Sequence, residues 1–157
     1  MKKPEASESS PFKYEADDSP GFLLWRVIAL WQGKLADIFG EFGITQTQFA
    51  ILASLRWFEL QRTPPTQARL VEHAKIDKMT LSKAIRKLEA NGYVLREASV
   101  LDTRAIQICF TDNGRQLIHQ AILAVERADD EFFSCLTDAQ LASFKTLSLS
   151  IITGNSP

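Results

Sequence analysis

The stretch KMTLSKAIRKLEANGYVLREASVLDTRAIQICFTDNG, residues 78–114, changes its hydrophobic period halfway along. In its first part, apolar residues recur at i, i+3, i+4 and i+7, the spacing of one helix face. These residues are Leu81, Ala84, Ile85 and Leu88. In its second part the apolar residues alternate with polar ones, as on one face of a strand. These are Ile106, Ile108 and Phe110. The stretch therefore predicts a helix followed by a β-hairpin.

Capping residues set the expected bounds of these elements. Asp77 is the expected N-cap of the helix, and Asn91-Gly92 is its expected end, since both residue types tolerate the left-handed conformation. We expect strands over residues 93–97 and 105–110.

The triplet Asp102-Thr103-Arg104 falls at the tip of this hairpin and at the entrance to its second strand. By itself such a triplet is equally well explained as a solvated surface turn. Its meaning depends on the elements around it.

Two further helices are expected before this stretch. Thr45 is a suitable N-cap for QTQFAILASLRWFE, and Thr66, after two prolines, is a suitable N-cap for QARLVEHA at 67–74. A three-residue break at 75–77 then leads into the helix of the opening stretch. Two short helices joined by a tight turn and followed by a hairpin are the order of a winged helix-turn-helix, whose second helix enters the major groove of DNA.

Apolar helices are expected on both sides of this lobe. One runs from Gly21 to about Gly40, one starts at Thr111, and a last one starts at Thr137-Asp138. They carry more apolar surface than one winged lobe covers, which indicates dimerisation; the alternative is that they close a monomeric bundle. The most apolar run, residues 22–31, is about half the ~20 residues of a membrane-spanning helix.

Charge is distributed unevenly along the 157 residues. The net charge is −1, yet residues 62–104 contain nine Lys or Arg against five Asp or Glu, so this segment carries +4 and the remainder −5. Attraction to phosphate depends on the local field rather than on the total, so a nucleic-acid partner remains consistent with the composition. Residues 1–20, rich in Ser, Pro and acidic residues, indicate a flexible N-terminal tail.

The second helix of the pair has a basic face opposite its apolar one, at 100° per residue. The residues of this face and its flanks are Lys78, Met79, Thr80, Ser82, Lys83, Arg86 and Lys87. Lysine and arginine match the acceptors of guanine and the oxygens of phosphate, which indicates DNA contact. The alternative is a basic face that is simply solvated.

Taken together, these segments resemble the multiple antibiotic resistance regulator (MarR) family over residues 21–153. The resemblance rests on TQTQFAILASL, on PPTQARLVEHAKIDKMTLSKAIRKLEANGYVLRE, and on D-T-R followed by T-D-N-G. It implies a mostly α fold with a small β-hairpin wing, a winged helix-turn-helix with N- and C-terminal dimerisation helices. On this basis residues 45–111 form the DNA-binding lobe, and residues 21–42 and 112–153 form the dimerisation helices.

The resemblance also implies a function. Its members are homodimeric transcriptional regulators that bind a pseudopalindromic operator in double-stranded DNA, usually as repressors released by a small-molecule effector or by oxidation. It implies that Arg104 enters the minor groove, that Asp102 holds it in place, and that Thr66 and Gln67 contact phosphate at a helix N-terminus. The wing has few other cations and carries Glu97, so we expect its electrostatic contribution to be modest.

Effector binding is less clearly encoded. Aromatic residues that are candidate pocket walls, or alternatively ordinary core residues, are Trp25, Trp31, Phe49, Trp57 and Phe58. Cys109 and Cys135 have no C-x-x-C spacing, and we expect them to be inert packing or surface thiols.

Other classes of site are not indicated. No signal-peptide pattern is present, so a cytoplasmic location is expected. His73 and His119 have no ligands at metal-like spacing, and no enzyme motif or phosphate loop is found, so no metal, cofactor or catalysis is expected. The alternative to a DNA-binding regulator is a winged-helix adaptor that binds protein instead.

Overall fold

A computed structural model describes residues 11–157 as six helices and a two-stranded antiparallel hairpin. The elements are α1 (Pro20–Phe42), α2 (Gln46–Leu60), α3 (Gln67–Ala74), α4 (Lys78–Ala90), β1 (Val94–Ala98), β2 (Ile106–Phe110), α5 (Asp112–Phe133) and α6 (Asp138–Asn155). This confirms the predicted fold class, and each predicted helix starts within one residue of its expected position. The first ten residues of the expected tail lie outside the described residues, and a short 3-10 turn occupies Ala16–Asp18.

The chain divides within α1, after Gly33, into two compact units. In the first, Arg26 Nη1 lies 2.8 Å from Asp17 Oδ1, and residues 20–30 are all exposed. The second unit, from Lys34 onward, contains the rest of the fold. None of the helices described between residues 11 and 157 is long and apolar enough to cross a membrane.

The core of the second unit lies where α2, α3, α4, the hairpin and α5 meet. Side chains with essentially no exposed surface are Ile51, Leu52, Leu70, Leu81, Ile85, Leu88, Val94, Ile108 and Ile118. They come from all of these elements, so the helices of the DNA-binding motif and the wing share one core. The predicted apolar face of α4 is confirmed by the complete burial of Leu81, Ile85 and Leu88.

Side-chain caps start the helices as expected. Thr45, Thr66, Asp77, Thr111 and Thr137 each accept a hydrogen bond from a backbone N–H in the first turn. Each satisfies one of the donors that a helix N-terminus leaves without a partner.

The turn between α3 and α4 is closed by an unexpected residue. Lys75 ends α3 in the left-handed conformation, with φ 56°, where glycine is the usual choice. At the end of α4 the left-handed residue is Gly92, with φ 79°, as the Asn91-Gly92 pair predicted.

The hairpin pairs Val94 with Phe110 at its base and Ala98 with Ile106 near its tip. Ile108 and Phe110 are buried, whereas Ile106, predicted on the same face, is 44% exposed because it lies at the far end of the ribbon. The middle of β2 contacts the segment before α3, since the Ile108 N–H donates to the Pro65 carbonyl at 3.0 Å.

The start of α5 lies directly against the start of the hairpin. The Thr111 N–H donates to the Tyr93 carbonyl at 3.1 Å, and the Thr111 hydroxyl donates to the Gly92 carbonyl. Gly114 is the third residue of α5 and lies against the backbone of Tyr93. A Cβ added to Gly114 would be 1.9 Å from the Tyr93 carbonyl oxygen. The glycine of the T-x-x-G pattern is therefore required by a backbone contact.

An ion-pair network joins α2 to the start of α5. Arg115 Nη2 lies 2.7 Å from Glu59 Oε1, Arg115 Nη1 lies 2.9 Å from Asp112 Oδ1, and Arg56 also pairs with Glu59. Partial burial raises the pKa of Glu59, but hydrogen bonds from Arg115 and Arg56 outweigh it, and the pKa is held below its usual value.

We predict that Gly114→Ala lowers the free energy of unfolding by roughly 3 kcal/mol or more. The added Cβ would clash with the Tyr93 backbone, and neither α5 nor this backbone can shift without disturbing the packing around it. Urea unfolding followed by circular dichroism measures the change. The matched control is Gly40→Ala on α1, where an added Cβ meets nothing within 4 Å and stability should stay equal or rise slightly. Equal stability of the two variants would contradict the close contact.

We predict that Glu59→Gln lowers the free energy of unfolding on the order of 1 kcal/mol at neutral pH, since the network is partly exposed. A carboxyl with a depressed pKa stabilises the fold above its unfolded pKa, and this stabilisation is lost as the pH falls through its folded pKa. The difference between variant and wild type should therefore shrink as urea unfolding is repeated from pH 7 down to about pH 4. The matched control is Glu126→Gln, which removes an exposed α5 carboxylate that has no ion pair among residues 11–157 and should leave the stability at pH 7 unchanged.

Candidate nucleic-acid interface

The outward face of α4 contains the residues that the sequence predicted for DNA contact. Because Leu81, Ile85 and Leu88 are buried, the opposite side of the helix faces away from the core. An open surface depression there is lined by Met79, Thr80, Ser82, Lys83 and Arg86. Lys78 and Lys87 flank it and are exposed, and Met79 is 84% exposed. Five of the seven predicted α4 residues thus line one surface depression, and Lys78 and Lys87 are exposed on its two sides.

The cations of this face have no acidic partners. Among residues 11–157, no ion pair involves Lys78, Lys83, Arg86 or Lys87. Arg96 on β1, by contrast, has an acidic partner, since its Nε lies 2.8 Å from Glu89 Oε2. This ion pair joins the wing to α4. Cations without intramolecular partners are free to exchange their counterions for phosphate.

The first turn of α4 is fixed by its cap. Asp77 Oδ1 accepts a hydrogen bond of 2.9 Å from the Thr80 N–H. Hydrogen bonds from the side chain and backbone of Thr80 lower the pKa of Asp77 below its usual value. The cap starts the helix on which Lys78, Met79 and Thr80 are the first three residues.

Thr66 and Gln67 lie at the N-terminus of α3, beside the wing. The Thr66 hydroxyl accepts a hydrogen bond of 3.3 Å from the Arg69 N–H, and the Thr66 backbone forms a β-bridge with Gln107 of β2. Both residues are half-buried. The Thr66 hydroxyl is therefore used in capping, and the free N–H groups of the first turn are what this site offers an anion.

At the wing tip, Asp102 acts on the backbone. Its Oδ1 accepts a hydrogen bond of 3.0 Å from the Arg104 N–H, and its carbonyl accepts one of 2.9 Å from the Ala105 N–H. The Arg104 guanidinium is exposed and has no ion-pair partner among residues 11–157. Within the described residues, Asp102 therefore contacts the backbone of Arg104 and forms no ion pair with its guanidinium.

The aromatic residues considered as pocket walls lie in different surroundings. Phe49 stacks on Phe39 with ring centroids 4.7 Å apart, and Phe58 is buried in the core. Trp57 is 48% exposed and stacks on His73 at 4.8 Å. In the first unit, Trp25 is 69% exposed and Trp31 is half-buried.

His73 is a contact that the sequence did not indicate. It lies against Trp57 and Phe58, and the Arg69 guanidinium lies over the Phe58 ring at 4.8 Å. The sequence alone contains a partial indication of this contact. Trp57 and Phe58 are adjacent near the end of α2, and His73 is near the end of α3, which packs on α2.

Within the described part of the chain, no group of three or more His, Cys, Asp or Glu residues could hold a metal ion. Cys109 is a half-buried free thiol on β2, and Cys135 is an exposed free thiol after α5.

Comparison with known proteins agrees with this geometry. A family model described as the ArnR1-like winged-helix domain matches residues 40–126. The HTH-type transcriptional repressor Rv2887 of Mycobacterium tuberculosis is 33% identical over 133 residues, which cover 84% of this chain and 93% of that protein.

Two solved structures extend the comparison. The crystal structure of the MarR family protein Rv2887 in complex with DNA is 27% identical, with a TM-score of 0.68, and covers 85% of this chain and 97% of that one. The structure of BpsR of Bordetella bronchiseptica, which concerns regulation of its DNA binding by 6-hydroxynicotinic acid, has a TM-score of 0.75 and 20% identity. It covers 93% of this chain and all of that one, and at this identity it shows a shared fold.

The family model covers more than half of the chain, the repressor matches most of it at one-third identity, and the lobe has the geometry of a winged helix-turn-helix. This chain belongs to the MarR family of winged-helix transcriptional regulators, which are DNA-binding regulators and not enzymes.

Proposed function

We propose that two copies of this chain bind a pseudopalindromic operator and repress transcription until a small-molecule effector releases them. The observation that carries the proposal is the outward face of α4, opposite its fully buried side. There Lys83 and Arg86 are exposed and have no ion-pair partner among residues 11–157. A solvated basic face is normally diluted by acidic neighbours, and here the acidic residues of α4 and its cap, Asp77 and Glu89, are both engaged in other contacts.

The proposed contacts divide by groove. Lys83, Arg86 and Met79 face the base edges of the major groove. Lysine and arginine match the acceptors of guanine, and the apolar side chain of Met79 matches the thymine methyl group. Lys78 and Lys87 lie at the flanks and contact phosphates, as do the first-turn N–H groups at Thr66 and Gln67. Arg104 at the wing tip enters the adjacent minor groove, where narrow A·T-rich sequence concentrates negative potential.

The lobe that makes these contacts is residues 45–111, and its rigidity favours recognition. The salt bridge from Arg96 to Glu89 and the shared core hold the wing against α4. The DNA-contacting side chains are therefore held in position before binding, and less conformational entropy is lost when the complex forms.

Dimerisation is supported by the terminal helices, residues 21–42 and 112–153. None of the 18 residues of α6 is buried, and its large apolar side chains are largely exposed. These are Phe144, Leu147, Leu149, Ile151 and Ile152. In the first unit, α1 exposes another apolar surface through Leu24, Trp25 and Leu30. A single chain leaves these surfaces in water, whereas a two-fold pair covers them and spaces the two α4 helices about one DNA turn, ~34 Å, apart.

Release by an effector is supported by BpsR, whose DNA binding is regulated by 6-hydroxynicotinic acid. Exposed Trp57 and Trp25 give this chain an intrinsic fluorescence signal for ligand screening. Aromatic carboxylates, beginning with 6-hydroxynicotinic acid, would be added to the protein–operator complex while fluorescence anisotropy of labelled DNA is followed. An effector lowers the anisotropy to that of free DNA at a concentration that also changes tryptophan emission.

We predict that Arg104→Ala and Lys83→Ala each weaken operator binding by about tenfold or more while leaving the circular dichroism spectrum unchanged, because both side chains are exposed. Fluorescence anisotropy against salt concentration measures the effect. Each variant removes one cation from the proposed DNA-facing surface, so the slope of log affinity against log salt should become shallower.

The matched control for these variants is Arg127→Ala, which removes an exposed cation from α5 and should bind as wild type. The DNA is obtained by selection from random duplexes and from the sequence flanking the gene. Failure of the wild type to bind any duplex at about 50 mM salt would reject DNA binding and favour the protein-adaptor alternative.

We predict that the double variant Leu147→Glu, Ile151→Glu is monomeric at concentrations where the wild type is dimeric, because two charges would be buried at the proposed interface. Sedimentation equilibrium gives the mass, and operator affinity should fall with it. The control is Thr146→Glu, an exposed α6 position roughly 100–140° around the helix from both residues, which should remain dimeric. A monomeric wild type that binds DNA with full affinity would contradict the dimer.

A further inference from the structure

The wing tip exposes two large apolar side chains. Val100 is 90% exposed and Leu101 is 99% exposed. Single exposed apolar residues are common and need no explanation. These two are adjacent, lie on a turn rather than on a helix face, and are next to the Asp102-Thr103-Arg104 triplet. They have no packing role within the described chain that would account for their identity.

The backbone of the tip is held in one conformation. Ser99 is buried, and its N–H donates to the Ala105 carbonyl at 2.9 Å. The Leu101 N–H donates to the Ser99 hydroxyl at 3.3 Å, and the carbonyl and carboxylate of Asp102 accept from Ala105 and Arg104. Because Ser99 takes the inward position, Val100 and Leu101 project into solvent.

The occupant of this apolar tip follows from its position. The Asp102 carbonyl accepts a hydrogen bond from the Ala105 N–H, so Leu101 directly precedes a single tight turn and Arg104 lies within it. A wing that carries Arg104 into a minor groove therefore carries Leu101 to the same groove. The walls of that groove are deoxyribose, and its floor is the edge of the base stack, both of which accept apolar contact. Leucine is one of the residues that proteins use as a wedge between base steps in the minor groove.

We propose that Leu101, supported by Val100, packs into the operator minor groove beside Arg104, partly opens one base step and bends the DNA. The inference rests on the proposed function and adds a mechanism by which the wing recognises DNA sequence through its deformability. It also explains the low charge of this wing, because residues 98–105 contain one cation and one acid. Apolar contact and DNA deformation take the place of further phosphate contacts.

A specificity follows from this mechanism. Opening a step costs least at pyrimidine–purine steps, above all TA, which are flexible and easily unstacked. The preferred operator should therefore contain such a step under each wing, outside the base pairs that α4 contacts.

The operators for the test are selected from random duplexes by the full-length wild type. The variants compared with it are Leu101→Ser, Leu101→Met and the control Leu60→Ser. Leu60, at the end of α2, is 64% exposed and lies outside the wing. Three quantities are measured: affinity against salt, DNA end-to-end distance by energy transfer between terminal dyes, and fluorescence of 2-aminopurine placed at the step under the wing.

For Leu101→Ser we expect about tenfold weaker binding, a straighter DNA and loss of the 2-aminopurine increase, with an unchanged salt slope because no counterion is involved. Leu101→Met should keep the bend, and Leu60→Ser should match wild type. This pattern differs from that of Arg104→Ala, which reduces the salt slope.

Several results would overturn the inference. If Leu101→Ser binds and bends DNA as wild type while Arg104→Ala loses affinity, the leucine has no role and the proposed function stands. If Leu101→Ser instead changes the oligomeric mass, the tip is a contact between copies. If the wild type binds no selected duplex, both the inference and the proposed function fail.

Discussion

The contact between the first turn of α5 and the backbone of Tyr93 determines how the DNA-binding lobe is closed. Thr111 reaches back with its N–H and hydroxyl to the carbonyls of Tyr93 and Gly92, and Gly114 allows the helix to approach without a Cβ. The contact joins the residues before β1 to the residue after β2, so the hairpin between them is closed at its base. The T-x-x-G pattern is thus a structural requirement of the wing rather than a part of the surface that meets DNA.

With its base closed, the hairpin has little freedom relative to α4. Val94 and Ile108 enter the same core as Leu81 and Ile85, and Arg96 adds a charged contact to Glu89 on the outer side. Shared core packing and this ion pair both join the wing to α4. In the proposed complex, two elements that are already fixed relative to each other would lose less conformational entropy on binding.

The sequence predicted the elements and the outward face of α4 because those features depend on local rules. Period 3.6 identifies α4, and threonine or aspartate before an apolar run identifies each cap. The role of Asp102 was expected from the family, but its contact was not, because a carboxylate two residues before an arginine can bind either its backbone or its guanidinium. Left-handed Lys75 was also missed, since nothing in the local sequence replaces the usual glycine. The stacking of His73 on Trp57 depends on the packing of two helices and has no local pattern.

Net charge is a poor guide to this chain because its ion pairs are distributed selectively. The acidic residues that form ion pairs within the described chain are Asp17, Glu59, Glu89, Asp112 and Glu131. Their partners tie one structural element to another or stabilise a helix, as when Lys34 of α1 meets Glu131 of α5 at 2.8 Å. Lys83 and Arg86 have no such partner among residues 11–157, and they lie opposite the side of α4 that is buried in the core. Screening over about 8–10 Å at physiological salt separates that face from distant acids, so the local field there is positive although the whole chain carries −1. The same reasoning explains the wing, where one cation and one acid nearly cancel and the exposed side chains next to Arg104 are apolar.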